Sequence, residues 1–165
     1  NLIPAVEKGI REQANKGVLV SSRVVDLEVE VYDGKFHAVD SDEASFKAAG
    51  ARAFRDGFEK GAPVLLEPLV ELEIHVPTED AGQIFSDVTS HRRGHVIGQW
   101  TEADGEITEI KAHAPLSTVQ TYNRDLKSQT AGEGSYTQTQ VGFARMPMAE
   151  QQKVITALAK KHDDE

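Results

Sequence analysis

Apolar and polar residues alternate strictly in parts of this chain, and elsewhere the apolar positions recur at helical spacing. Ile3, Val6, Ile10 and Ala14 share one helical face, Pro4 suits a first helical position, and Gly17 closes the element. Val25, Leu27, Val29 and Val31 then alternate with Asp26, Glu28 and Glu30, which predicts a strand with one buried face. Residues 32–37 follow as a turn. A second helix is expected from Asp40 or Ser41, with Asp40 and Glu43 at capping-box spacing. Its inner face reads Phe46, Ala49 or Gly50, Ala53, Phe54 and Phe58, and Gly61 and Pro63 stop it. Residues 1–61 thus read helix–strand–helix. A lone strand has two unpaired edges and makes no sheet, so its partners are expected upstream, in the next domain or in another chain. On that ground the chain is expected to be a fragment.

The rest of the chain has a different order. Val70, Leu72, Ile74 and Val76 alternate with Glu71, Glu73 and His75, a strand that ends at Pro77. Thr78 is expected to cap a helix with Ala81, Ile84, Phe85 and Val88 inward and Gly94 at its end. Residues 95–101 and 107–114 form a hairpin around Ala103, Asp104 and Gly105. Ile107 is out of phase with Ile110, Ala112 and Ala114, which predicts a bulge or a late strand start. Pro115 opens a helix carrying Leu116, Val119 and Tyr122, and after Gly132-Glu133-Gly134 comes a last strand over 135–143. The order is β-α-β-β-α-β, so the expected class is α+β, with a ferredoxin-like domain following the incomplete helix–strand–helix part. A C-terminal helix carries Val154, Ile155 and Leu158, and the tail His162 to Glu165 is expected to fray.

Composition narrows the function classes. With 39% apolar and 27% charged residues among 165, the chain is globular rather than disordered. Absence of cysteine excludes disulfides, thiolate metal sites and cysteine nucleophiles. No apolar run is long enough for a membrane span and no secretory signal opens the chain, so a soluble, cytoplasmic protein is expected. The formal charge of −9 divides into −2 over residues 1–61 and −7 over 62–165. Such a surface repels duplex DNA, while leaving room for local RNA contact by a few cations on loops.

Candidate chemistry is sparse. His91 and His95 have i,i+4 spacing, but Gly94 interrupts the helix between them and no metal site is expected. His75 and His113 read as outward strand positions. No phosphate-binding loop or Gly-x-Ser-x-Gly elbow occurs, and a small hydrolase using His37 or His113 has the weakest support, so no catalytic residue is assigned. The tip Gly34, Lys35, Phe36 and His37 presents a cation, a ring and an imidazole together, a set that suits irregular RNA, although composition alone favours a solvated turn in which Phe36 tucks into the core. Arg92 and Arg93 are possible RNA contacts, or cations favoured by a helix C-terminus. Without further clues the default is a regulatory or protein-interaction module.

The motifs, however, resemble a known family. YDGKFHAVDSDEASFK at 32–47, LIPAVEKGI at 2–10 and GAPVLLEP at 61–68 closely resemble elongation factor G, and SHRRGHVIG at 90–98 and DLKSQTAGEGSYT at 125–137 resemble its following domain. The resemblance implies that residues 1–61 are the C-terminal part of domain IV and 62–165 are domain V with the terminal helix. It further implies a ribosomal translocase whose GTP and magnesium are bound by an N-terminal domain outside these residues. Gly34, Lys35, Phe36 and His37 would form the point that reaches the transfer RNA–messenger RNA duplex at the small-subunit decoding site. Lys127, Ser128, Gln129, Thr130, Gly132 and Gly134 would approach the sarcin–ricin region of large-subunit RNA, with amides of the Gly-rich turn donating to phosphate. Glu133 stands where many members carry a basic residue, and with His95 and the segment 119–122 it suggests an elongation-factor-G-like paralogue, which could act in ribosome recycling.

Overall fold

The computed structural model describes residues 1–163, with side chains through Lys161; the fraying expected of the tail, His162 to Glu165, falls outside the described side chains. Two compact units are present, residues 1–64 together with 147–165, and residues 65–146.

In the first unit, helix α1 (Ile3–Lys16) and helix α2 (Glu43–Lys60) pack against each other. Their contact is closer than the expected apolar face implies. Ala5 and Gly9 are the buried residues of α1, and Gly50 and Phe54 those of α2. A Cβ at Gly9 would stand 2.0 Å from the Lys47 carbonyl oxygen, and one at Gly50 would stand 2.6 Å from that of Val6. Backbone therefore meets backbone at two glycine notches, and the apolar stripe read from spacing is rotated toward the small residues. Ile3 and Ala53, expected inward, are exposed. The N-cap of α2 is Asp42, not Asp40: its Oδ1 accepts from the Ser45 N–H at 2.6 Å. Helix α5 (Met148–Asp163) belongs to this unit by its contacts, and Gln151 Nε2 donates to the Pro63 carbonyl at 3.3 Å.

The strand expected over residues 25–31 does not form. The alternation is there, but no ladder pairs with it, and Val25, Leu27, Val29 and Val31 are each about half exposed, between 45 and 50%. Period-two patterning specifies a strand only where a partner supplies the hydrogen bonds.

The second unit has the expected element order. Strands β1 (Leu66–Pro77), β2 (His95–Thr101), β3 (Ile107–Pro115) and β4 (Ser135–Arg145) form one antiparallel sheet in the order β2-β3-β1-β4. Helices α3 (Ala81–His91) and α4 (Tyr122–Gln129) supply the helical side of the core. Leu72, Ile74, Val76, Ile84, Val88, Ile110, Tyr122 and Leu126 have no exposed surface, and each such aliphatic side chain contributes about 1.5–3 kcal/mol by leaving water. Thr108 resolves the phase problem in β3. It is the inward residue next to Ile110, fully buried, with its hydroxyl 3.0 Å from that of Thr78 and 3.1 Å from that of Thr101. Ile107 simply faces the other way, and the bulges lie elsewhere, at Val96/Gly98 and opposite Leu69/Val70. Thr78 opens a short 3₁₀ turn instead of capping α3, and Phe85 is 42% exposed.

No described helix is long and apolar enough to cross a membrane.

Candidate RNA-facing surfaces

The first candidate lies in residues 32–37. The chain leaves the unpaired segment at 25–31, turns over 38–40 and enters α2. Two short local bonds shape it: the Gly34 N–H donates to Asp33 Oδ1 and the His37 N–H to Ser41 Oγ, each at 2.8 Å. Phe36 is 66% exposed, so it does not tuck into a core, and Lys35 and His37 are exposed beside it. Tyr32 and Val39, overlooked in the sequence because each reads as a core-type residue, are more than nine-tenths exposed. Gly34, Lys35, Phe36 and His37 are consecutive exposed residues just ahead of the turn at 38–40.

The second candidate is the loop after α4. Its closure depends on Thr130, which is 2% exposed. The Thr130 hydroxyl donates to the Leu126 carbonyl at 2.8 Å and accepts the Gly134 N–H at 2.7 Å. The Gly132 N–H donates to the Lys127 carbonyl and the Glu133 N–H to the Thr130 carbonyl, at 2.8 and 3.0 Å. Lys127 Nζ reaches the Gly132 carbonyl at 3.2 Å. Ala131 and Gly132 take left-handed conformations, with φ of 50° and 87°, and at Gly132 only glycine does so without cost. Gly134 is glycine for another reason, since a Cβ there would meet Thr130 Oγ1 at 2.7 Å.

This geometry corrects the expected mode of contact. The amides of Gly132, Glu133 and Gly134 are engaged within the loop, so they are not a cradle for phosphate. Lys127, Ser128, Gly132 and Glu133 face outward, whereas Thr130 and Gly134 are buried supports. Gln129 is half-buried, with Oε1 sealed and without a hydrogen-bond partner among the described residues.

Arg92 and Arg93 are likewise redirected. The Arg92 side chain is 9% exposed and binds Asp87 at 2.7 Å, Asp125 at 2.9 Å and the Thr118 carbonyl at 2.8 Å. Its guanidinium also stands 4.7 Å from the centre of the Tyr122 ring. Asp125 is held at a pKa of about 2, first by its bond from Arg92 and then by that from Thr121. Burial pushes the Tyr122 hydroxyl well above the usual tyrosine range. Arg93, at a φ of 51°, makes a bidentate pair with Glu67 at 2.7 and 3.0 Å. A planar fork with two carboxylates to satisfy turns inward, so Arg92 ties α3 to α4 and is not available to RNA.

The histidines do not assemble a site. His91 ends α3 with Nδ1 3.7 Å from Asp87, His95 begins β2, and His113, expected to be solvated, is half-buried with Nε2 3.1 Å from Glu71. Among the described residues no three His, Asp or Glu side chains gather where they could hold a metal ion.

Comparison with known proteins matches both units. The family model for elongation factor G domain IV matches residues 1–62, and that for the elongation factor G C-terminus matches residues 64–154. An elongation factor G from Aquifex pyrophilus is 39% identical over 153 residues, and an elongation factor G-like protein from Thermotoga maritima is 39% identical over 155. These cover 93 and 94% of this chain but only 22% of each relative, so the chain spans about a fifth of their length. A crystal structure of a Thermus thermophilus protein superposes with a TM-score of 0.77 at 34% identity, covering 96% of this chain and 24% of that one. The chain belongs to the elongation factor G family, with that family's domain IV sequence followed by its C-terminal domain.

Proposed function

We propose that these residues are the ribosome-facing C-terminal part of a cytoplasmic translational GTPase that promotes movement of transfer RNA and messenger RNA during protein synthesis. The observation that carries this reading is the exposed run Lys35, Phe36 and His37 just ahead of the capped helix α2, with the His37 N–H bonded to Ser41 and Asp42 capping the helix. In this reading the tip meets the transfer RNA–messenger RNA duplex at the small-subunit decoding site. The loop at 127–134 meets the sarcin–ricin region of large-subunit RNA through Lys127 and Ser128, held rigid by Thr130. The sequence lacks a phosphate-binding loop, so in this reading GTP and magnesium are bound by sequence outside it.

A second reading is a paralogue acting in ribosome recycling, and the comparisons weigh equally on the two. The elongation factor G-like relative matches as well as the elongation factor G does, at 39%. Single-round translocation by the full-length factor separates the two. Lys35→Ala and His37→Ala slow it under the first reading. Under the second, the unaltered factor fails to translocate but splits post-termination ribosomes. A factor that does neither removes both.

A further inference from the structure

An aspartate is followed directly by glycine at three places in this chain: Asp33–Gly34, Asp56–Gly57 and Asp104–Gly105. Such pairs have a chemistry of their own. Glycine has no side chain to shield its amide nitrogen from the preceding carboxyl carbon, and it restricts the backbone least. The nitrogen can attack that carbon, close a five-membered succinimide ring and expel water. In a folded protein the rate depends on how the two groups are held relative to each other.

Two of the three pairs are held apart. Gly57 lies within α2, where its N–H is committed to the carbonyl one turn back and the helix fixes the Asp56 backbone. In the β2–β3 hairpin the Gly105 N–H donates to the Glu102 carbonyl at 2.8 Å, and Asp104 Oδ1 accepts from the Glu106 N–H at 2.9 Å. Nitrogen and carboxyl there serve different partners, between strands that are themselves paired.

Asp33–Gly34 differs. It lies outside any helix or strand, and the Gly34 N–H donates to the Asp33 carboxylate itself, with Oδ1 at 2.8 Å. The two reacting groups are each other's partners, and a side-chain rotation brings the carboxyl carbon over the nitrogen. The contact is made within two adjacent residues and involves no other segment.

We infer that Asp33 is a site of spontaneous isoaspartate formation. A bond forms between the Gly34 nitrogen and Asp33 Cγ. One carboxylate C–O bond breaks, and that oxygen leaves as water, carrying the amide proton and one proton from solvent. Water then adds at the Asp33 main-chain carbonyl carbon and breaks its bond to the Gly34 nitrogen. The chain now runs through Cβ and Cγ, and the former main-chain carbonyl is a free carboxylate. Nothing is oxidised or reduced, and the mass is unchanged. The main chain gains one carbon, about 1.5 Å of contour, immediately ahead of Lys35.

The test incubates the full-length factor for days at neutral pH, folded and, in parallel, unfolded in guanidinium. Peptides spanning each pair are separated and read by electron-transfer fragmentation, which distinguishes isoaspartate from aspartate. Expected in the folded factor is isoaspartate at Asp33 at least about tenfold faster than at Asp56 or Asp104, with the three rates converging in guanidinium. Gly34→Ala slows the reaction at Asp33 on the order of tenfold and leaves the other two sites unchanged. A rate at Asp33 no higher than at Asp104 in the folded factor overturns the inference. So does a lead for Asp33 that persists in guanidinium, since the fold would then not be its cause. Neither readout involves the ribosome, so the outcome is independent of the proposed function.

Discussion

Replacing Arg92 with alanine is the sharpest perturbation of the second unit. The side chain satisfies Asp87, Asp125 and the Thr118 carbonyl at once, and its removal leaves Asp87, 9% exposed, without its 2.7 Å partner. Breaking a buried ion pair from one side costs about 3–5 kcal/mol, mostly because the remaining charge is stranded. With a urea dependence of about 1–2 kcal/mol per M for a small domain, the unfolding midpoint falls by roughly 1.5–5 M. Trp100 is the chain's one tryptophan and lies on β2, so its fluorescence reports this unit directly. Arg92→Lys keeps the charge but cannot bridge all three acceptors, and an intermediate loss is expected. If Arg92→Ala moved the midpoint by less than about 0.5 M, the network would not be formed in solution and the residue would be a surface cation after all.

Four further outcomes follow from individual contacts. Thr130→Val keeps the shape but leaves the buried Gly134 N–H without its acceptor, which costs about 1–3 kcal/mol; amide exchange at Gly134 should accelerate well before global unfolding, and unchanged protection would refute the latch. Asp125, depressed to about 2, contributes stability that is present above its unfolded value near 4 and is lost as pH falls through its folded value. Carboxyl titration by NMR should give a midpoint near 2 for Asp125, and an ordinary value would contradict its pairing with Arg92. Gly9→Ala drives a methyl into the Lys47 carbonyl and should cost at least about 1–3 kcal/mol, whereas Gly57→Ala, in open space on α2, should gain about 1 kcal/mol; helical circular dichroism on heating compares them. Tyr122→Phe deletes a buried hydroxyl without a hydrogen-bond partner among the described residues, so stability should be unchanged or higher, and a clear loss by urea titration would reveal a missing bond.

The second unit was largely legible because its strands bury one face, and period two then fixes which residues point inward. The exception, Thr108, is polar yet inward, and only the Thr78 and Thr101 hydroxyls opposite it explain why. Alternation at 25–31 was equally clear, yet no ladder forms there, since patterning describes a strand's faces while hydrogen-bond partners, expected outside these residues, make the strand. The glycine notches at Gly9 and Gly50 escaped an apolar-face reading that scores glycine as neutral. Asp40, Ser41 and Asp42 are all good caps, and spacing alone could not choose among them. Arg92 looked like a helix-end cation because its acceptors, Asp125 and the Thr118 carbonyl, lie far along the chain. At the candidate surfaces, sequence indicated which residues gather, but the engagement of the loop amides by Thr130, Lys127 and Leu126 needed coordinates.

The central claim is that the tip at residues 34–37 is driven into the small-subunit decoding site. This chain has no cysteine, so Val39→Cys, at a 94% exposed position beside the tip, gives one attachment point for an iron chelate once any cysteines elsewhere in the full-length factor are replaced. Hydroxyl radicals released from it on factor-bound ribosomes should cleave small-subunit RNA around the decoding site and the adjacent transfer RNA. Cleavage confined to large-subunit RNA, or absent altogether from a factor that binds normally, would contradict the account.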